Sequence, residues 1–327
     1  MPLFDVLTIG SATKDLFLKS KHFDEVRDTL APDGVDACFA MGAKIILDDF
    51  FSASGGGATN AAVTFARFGL RTVCATRVGN DEAGHGISIQ LRREGISTLA
   101  LQVDRKAKTA FSAIILSGTG HRAILTHRGA AKNLDLTNIP WKHLKAKWIY
   151  LTSLGGNLSG ARTVFAHAKK MKAKITWNPG NAELTLGLKR LKPLLRQTAV
   201  LILNREEAAL LTELPPRALK QILSALSPLP MHALVVTDGG KGAYVHVKKT
   251  TWFAPPLKAK RINTTGAGDA LGSGFVGALA KGMNPEDALR TGMLNATSVI
   301  CHMGAKAGIL TKMPGKAAMS RVKIEKI

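Results

Sequence analysis

Residues 263–277 read NTTGAGDALGSGFVG, with five glycines, one acid and no lysine. Two glycine patterns overlap there. Gly272, Gly274 and Gly277 spell G-x-G-x-x-G, the spacing of a dinucleotide-binding turn, which requires a strand immediately before it. The preceding TGAGDAL cannot make a buried strand. These small residues are therefore expected inside a helix that begins near Asp269. A glycine there costs about 1 kcal/mol, which close approach of a neighbour or ligand would offset. Gly266, Ala267 and Gly268 form the second pattern, a loop nearly without side chains that feeds the helix start. Unsatisfied N–H groups and the positive end of the helix dipole make such a place an anion site. Asp269, in the first turn, either complements that dipole or offers a carboxylate to whatever the anion site holds.

Other residues could do chemistry. Asn204 and Glu207 stand three apart at a helix start, so both face one way. They suit either a capping box or an oxygen pair for Mg²⁺ held largely through water. Asp15 follows the first strand in IGSATKDLF, a ligand position at the carboxyl end of a sheet strand, or else a simple turn residue. The nine histidines show no metal-ligand spacing, and no Walker A loop occurs. Cys38, Cys74 and Cys301 are far apart with no C-x-x-C, which points to reduced thiols in a cytoplasm.

These residues need a scaffold. The 327 residues, 46% hydrophobic and 21% charged, are a globular balance with room for one large domain, with or without a small one. No apolar run approaches the ~20 residues that span a bilayer. MPLFDVLTIG reads as a first buried strand and lacks the features of a signal peptide. The net charge of +22 raises the possibility of a polyanion partner. The basic residues are spread widely, however, and aromatics are only 6%. A base-stacking platform is poorly supplied, which speaks against nucleic acid and for a basic surface on an enzyme with an anionic substrate.

Short apolar runs alternate with helical patterns. Strands are expected at 6–9, 72–75, 148–151, 175–177, 200–203 and 233–236. Helices are expected at 59–68, 84–94, 161–170, from 206, at 269–280 and at 284–301. This alternation with continuous apolar strands means an α/β fold, a mostly parallel sheet covered by helices on both faces. Two stretches break the rhythm. DLFLKS, ACFAMGAKIIL, AFSAIIL and RAILTHR read as antiparallel strands, the last two joined by a hairpin turn at Ser117, Gly118, Thr119 and Gly120. The expected division is a body of residues 1–13, 54–108 and 129–327 with a β-sheet lid of 14–53 and 109–128 over a cleft.

NTTGAGD before a small-residue helix resembles the C-terminal signature of the ribokinase-like (PfkB) carbohydrate and nucleoside kinases. GGGATN from Gly55, followed by AAVTFARFGL and VGNDEAGHGI, resembles the family's N-terminal signature. NREE from Asn204 is similar to its N-x-x-E motif, VTDGGKGA from Val236 to its nucleotide-binding strand-turn, and Asn295 with HMGA from His302 to the stretch closing over adenine. The resemblance covers nearly the whole chain and implies a three-layer α/β/α fold with a small antiparallel β lid. It implies transfer of the ATP γ-phosphoryl group to a hydroxyl of a sugar-like acceptor. Asp269 would be the base, and the N–H groups of Gly266, Ala267 and Gly268 would hold the charge on the transferred group. Asp15, Gly56, Gly57 and Asn60 would bind the acceptor. Asn204, Thr237, Gly239, Gly242 and Asn295 would bind the nucleotide, and Glu207 would hold Mg²⁺ through water.

Lys44 and Arg128 lie in the lid strands, either near acceptor or phosphate or simply in solvent. By analogy, a lid sheet often exposes one face that a twin subunit covers, so a homodimer through the lid is open. Two positions depart from the family pattern. Asn263 stands where many relatives have an Asp that helps hold a monovalent cation, which leaves potassium activation open. Trp177, Asn178, Pro179 and Gly180 replace a D-x-N contact. The acceptor also stays open. A sugar leads, a nucleoside is the rival because Phe39, Phe50 and Phe51 could stack a base, and a polyanion- or RNA-binding role on a kinase fold is the reading from another class.

Overall fold

The computed structural model of the chain describes residues 3–29, 34–119 and 121–327. Met1 and Pro2 of the expected first strand, and Gly120 of the expected hairpin turn, lie outside them. Seven parallel strands run in spatial order Leu101–Asp104, Thr72–Gly79, Leu3–Ile9, Lys145–Leu151, Lys174–Trp177, Val200–Asn204 and Ala233–Thr237. Three antiparallel strands, Ala243–Val247, Thr250–Ala254 and Glu325–Lys326, extend the far edge to ten.

The strand sequences are continuously apolar because both faces are covered. Alternate residues divide between two cores. Leu7, Ile9, Ile149, Leu151, Leu201 and Leu203 join the core under helices Leu158–Met171, Leu188–Leu195 and Leu219–Leu226. Val6, Trp148, Tyr150, Val200 and Ile202 join the core under Gly57–Arg67, Ala267–Ala280 and Pro285–Ile300. Full burial of each such aliphatic side chain contributes about 1.5–3 kcal/mol. That exceeds the glycine penalties in helix Ala267–Ala280. Gly272, Gly274 and Gly277 also have a reason to be small. A Cβ on Gly272 would lie 2.8 Å from the Tyr150 hydroxyl, on Gly274 3.0 Å from Gly292, and on Gly277 3.0 Å from Phe68. The helix starts at Ala267 with no strand before Gly272, so G-x-G-x-x-G is a packing pattern here.

The second sheet has the order Asp49–Gly55, Thr13–Lys19, Ala110–Leu116, Arg122–His127. Its outer pairs are antiparallel and its central pair is parallel. The expected strand ACFAMGAKIIL is not part of it. Only Val35–Cys38 is extended, in a separate ribbon with Asp24–Arg27. Gly42 turns the chain with φ +83°, and Met41 and Ile46 stay exposed. The strand that does pair is Asp49–Gly55, whose DFFSASG lacks a clean alternation. Its last residues, Ser54 and Gly55, run past the expected lid boundary at 53.

Candidate active site

The carboxyl ends of the parallel strands open on one edge, and the second sheet stands over that edge. Gly266 ends the approach to helix Ala267–Ala280 in the left-handed region at φ +82°. A Cβ there would come within 2.5 Å of Ala305, so only glycine lets segment 304–306 pack against the turn. The Ala267 N–H turns back onto the Thr264 carbonyl at 3.2 Å. The Gly266, Gly268 and Asp269 N–H groups carry no hydrogen bond among the described residues. The outward donors are thus one residue displaced from the expected trio, with Asp269 in place of Ala267. Space opens beyond Gly268, where an added Cβ would meet nothing within 4 Å.

Asp269 stands in the first turn of this helix, and its Oδ2 accepts the Asn60 Nδ2–H at 2.8 Å. Part of its surface reaches solvent, but protein crowds it on every other side. That desolvation pushes its carboxyl above the usual range, and Asp15 adds to the push; the Asn60 bond and the Lys306 charge oppose it. Asn60 lies in the first turns of helix Gly57–Arg67, which starts at Gly56 with φ +98°. A Cβ on Gly56 would strike the Ser11 carbonyl, and this close approach fixes the Gly55, Gly56, Gly57 turn against the chain leaving the first strand. The Asn60 Oδ1 is buried and unpartnered among the described residues, an acceptor left open beside Asp269.

Asp15, in strand Thr13–Lys19, is 6% exposed, and its Oδ1 accepts the Thr13 hydroxyl at 2.9 Å. Burial raises its carboxyl as well. Asp15, Gly56, Asn60 and Asp269 thus cluster at the mouth of the first strand. Lys306, which sequence reasoning missed, shares this pocket as a buried lysine without a partner among the described residues. No motif marked it; only its position one residue after Ala305 could have.

Asn204 and Glu207 form a capping box. The Glu207 N–H donates to Asn204 Oδ1 at 2.7 Å, and the Asn204 N–H to Glu207 Oε2 at 2.8 Å. The second Glu207 oxygen is not used by the box. Burial, followed by the nearby Asp269 charge, raises this carboxyl. Thr237 sits beside Asn204 at the strand ends. The turn after it holds Gly239 and Gly242 at φ +51° and +115°, braced by the Asp238–Arg205 ion pair at 2.6 Å.

Asn295 departs from expectation. It is fully buried, its amide donating to Thr64 and to the Ala270 carbonyl and accepting from the Leu310 N–H. Its helix face is the one turned inward. The adjacent face, with Leu294, Thr297, Ser298 and Cys301, lines an open cleft with Leu257 and Pro314. Asn263 Oδ1 accepts the Thr265 N–H at 2.7 Å. Asn178 tethers the Ile202 carbonyl at 3.0 Å. Arg122 of the second sheet donates to the Thr264 hydroxyl beside the glycine turn. Lys44 and Arg128 are exposed. Phe39 packs on Phe23, whereas Phe17, Phe50 and Phe51 line a cleft with Ile262 and Met303.

Comparison with known proteins agrees with this architecture. Residues 40–312 match the model for pfkB family carbohydrate kinases. A ribokinase of Haemophilus influenzae is 26% identical over 93% of this chain and 94% of its own length. A probable fructokinase of Arabidopsis thaliana is 25% identical over 82% of this chain and 87% of its own. Among solved structures, an Arabidopsis thaliana ribokinase with ribose and ATP superposes with a TM-score of 0.75 at 19% identity, covering 98% of both chains. A nucleoside kinase of Methanocaldococcus jannaschii gives 0.74 at 21% identity over 97% of both. The described residues contain no helix long and apolar enough to cross a membrane. The chain belongs to the pfkB family of carbohydrate kinases.

Proposed function

We propose that this protein transfers the γ-phosphoryl group of ATP to a hydroxymethyl group of a sugar. The observation that carries this reading is the pairing of free N–H groups at Gly266, Gly268 and Asp269 with the Asn60-held Asp269 carboxylate. Asp15, the Gly56 and Gly57 turn and the open Asn60 Oδ1 orient the acceptor's hydroxyls. Asp269 takes the proton as the hydroxyl oxygen bonds to the γ-phosphorus. The bond from that phosphorus to the bridging oxygen breaks, and its electron pair leaves on ADP. The turn's N–H groups stabilise charge on the transferred group, which is the main demand of this reaction.

Thr237, Gly239 and Gly242 flank the phosphates and ribose, and the cleft beside Leu294, Thr297 and Ser298 takes the adenine. The Glu207 oxygen left over from the capping box fits a magnesium ion held through water, which would neutralise phosphate charge. Asn263, whose amide oxygen is already engaged, makes a poor monovalent-cation ligand. Residues 14–53 and 109–128 act as the lid in this reading.

A nucleoside acceptor is the second reading, favoured by the aromatic cleft of Phe17 and Phe51 against Ile262 and Met303. Coupled-assay turnover of ATP with D-ribose, D-fructose and adenosine decides between them. Turnover with a sugar alone is the expected result, adenosine alone selects the second reading, and turnover with none overturns both.

A further inference from the structure

Lys306 is an unusual residue to find inside a protein. Its side chain is 5% exposed, and its ammonium nitrogen is buried with no hydrogen-bond partner among the described residues. A buried ammonium with three unused donors is costly and calls for an explanation. Its backbone is held in place. Arg67 donates to the carbonyls of Lys306 and Ile309, the latter at 2.7 Å. The preceding Ala305 packs on Gly266, and Gly304 on Ala53 and Phe51. Segment 304–306 is therefore wedged between the glycine turn and the strand paired with Asp15.

We infer that Lys306 is a positioning residue for the reaction, its buried ammonium holding the Asp269 carboxylate ionised beside Asp15. This inference rests on the reading of Asp269 as the base.

The groups around the ammonium define what it can act on. Asp269 comes from helix Ala267–Ala280, Asp15 from strand Thr13–Lys19, Cys74 from strand Thr72–Gly79, and Glu94 from just beyond helix Glu82–Arg93. Glu94 is engaged by Arg67 at 2.6 Å. The Cys74 thiol is pushed up to about 11 by burial and is neutral. Lys14 adds a positive charge near Asp15, and Glu207 a negative one near Asp269. The Tyr150 phenol, raised by burial, is neutral as well. Around the ammonium itself, the desolvated carboxylates left are those of Asp15 and Asp269. Without the ammonium, the two acids repel each other and the charged form of each is disfavoured further, which weakens Asp269 as a base. Burial brings Lys306 itself down to about 8, so it is charged at neutral pH.

The test compares Lys306→Met with the parent protein across pH. One unit charge several ångströms away at an effective dielectric near 20 shifts a carboxyl by about one pH unit or more. The Asp269 carbon-13 carboxyl signal, assigned with Asp269→Asn, should titrate at least about one unit higher in Lys306→Met. With the acceptor that turns over, the acid limb of the kcat/KM profile should move up by the same amount. Above pH 9, where the parent has also lost the ammonium, the two proteins should converge. A uniform loss at all pH values, or an unmoved Asp269 titration, overturns the inference and makes Lys306 a structural residue. Lys306→Gln is the second variant; failure of both to fold also overturns it, since a residue that tunes the base is not needed by the fold. The two readings fail separately: full activity in Asp269→Asn removes the base, whereas an inactive Asp269→Asn with an unshifted Lys306→Met removes Lys306 alone.

Discussion

The glycine turn and the second sheet meet across one cleft and are built by opposite rules. Around Gly266 the backbone is fixed by contacts that admit no alternative residue, with Ala305 on one side and helix packing at Gly272 and Gly274 on the other. Burial there leaves Asp269, Asn60 and Lys306 with incomplete or costly environments. The second sheet carries one buried acid, Asp15. Its alternation puts Phe17, Ser112 and Ile114 on the same face as Asp15, and Leu16, Leu18, Phe50, Phe111 and Leu125 on the other. On that other face Phe50 is 68% and Leu125 61% exposed. One region buries polar groups at a cost in stability, and the other leaves apolar surface open.

The sharpest break in this comparison comes from Asp269. Asp269→Asn keeps the shape, the Asn60 contact and the turn's N–H groups, but it removes the proton acceptor. General-base catalysis is worth about 10²–10⁴ in rate, so kcat should fall by at least that much while ATP affinity stays near normal. The Asp269 carboxyl is raised in the fold, so its charged form is disfavoured there and the amide should leave Tm equal or higher. A loss of only a few-fold in kcat, or a lower Tm, would make Asp269 a dipole-capping acid.

Asp15→Ala tests the other side of the cleft. A lost buried charged hydrogen bond costs roughly 1.5–3 kcal/mol, or about 10–100-fold in acceptor KM. The ATP KM should not move. Steady-state kinetics with each substrate varied separate the two, and an unchanged acceptor KM places the sugar elsewhere.

The two regions also differ in how far the sequence revealed them. The body was legible because parallel strands buried on both faces are unbroken apolar runs, and its helices end on glycines such as Gly69 and Gly95. Helices Leu188–Leu195 and Leu219–Leu226 escaped because their apolar faces are short and mixed with lysine and arginine or proline neighbours. In the second sheet, exposed apolar residues at 39–47 imitated a strand, and the true strand Asp49–Gly55 looked like loop. At the site, Asp269, Asn60, Asp15 and the glycine turns stood out by type and spacing. Lys306 did not, because a lysine's burial depends on contacts far apart in the chain. Asn295 stood out by residue type but is buried and hydrogen-bonded, because only packing fixes which face of a helix turns inward.

The smallest expected effect lies on the outer face of the second sheet. Phe50→Ser and Leu125→Ser remove side chains that are mostly in water in the single chain, and such surface changes are usually within about 0.5 kcal/mol. Tm should therefore barely move at low protein concentration, and kcat with a sugar acceptor should be unchanged. If a second copy of the chain covers this face, stability is linked to assembly by mass action. The parent's Tm would then rise with protein concentration, the variants' would not, and sedimentation would show a larger species for the parent only. A concentration-independent Tm with a single-chain mass in both proteins leaves the face open to water and keeps the contrast with the glycine turn at its widest. A large Tm loss in a chain that sediments as a monomer would break that contrast, because this face would then hold up the fold as the body does.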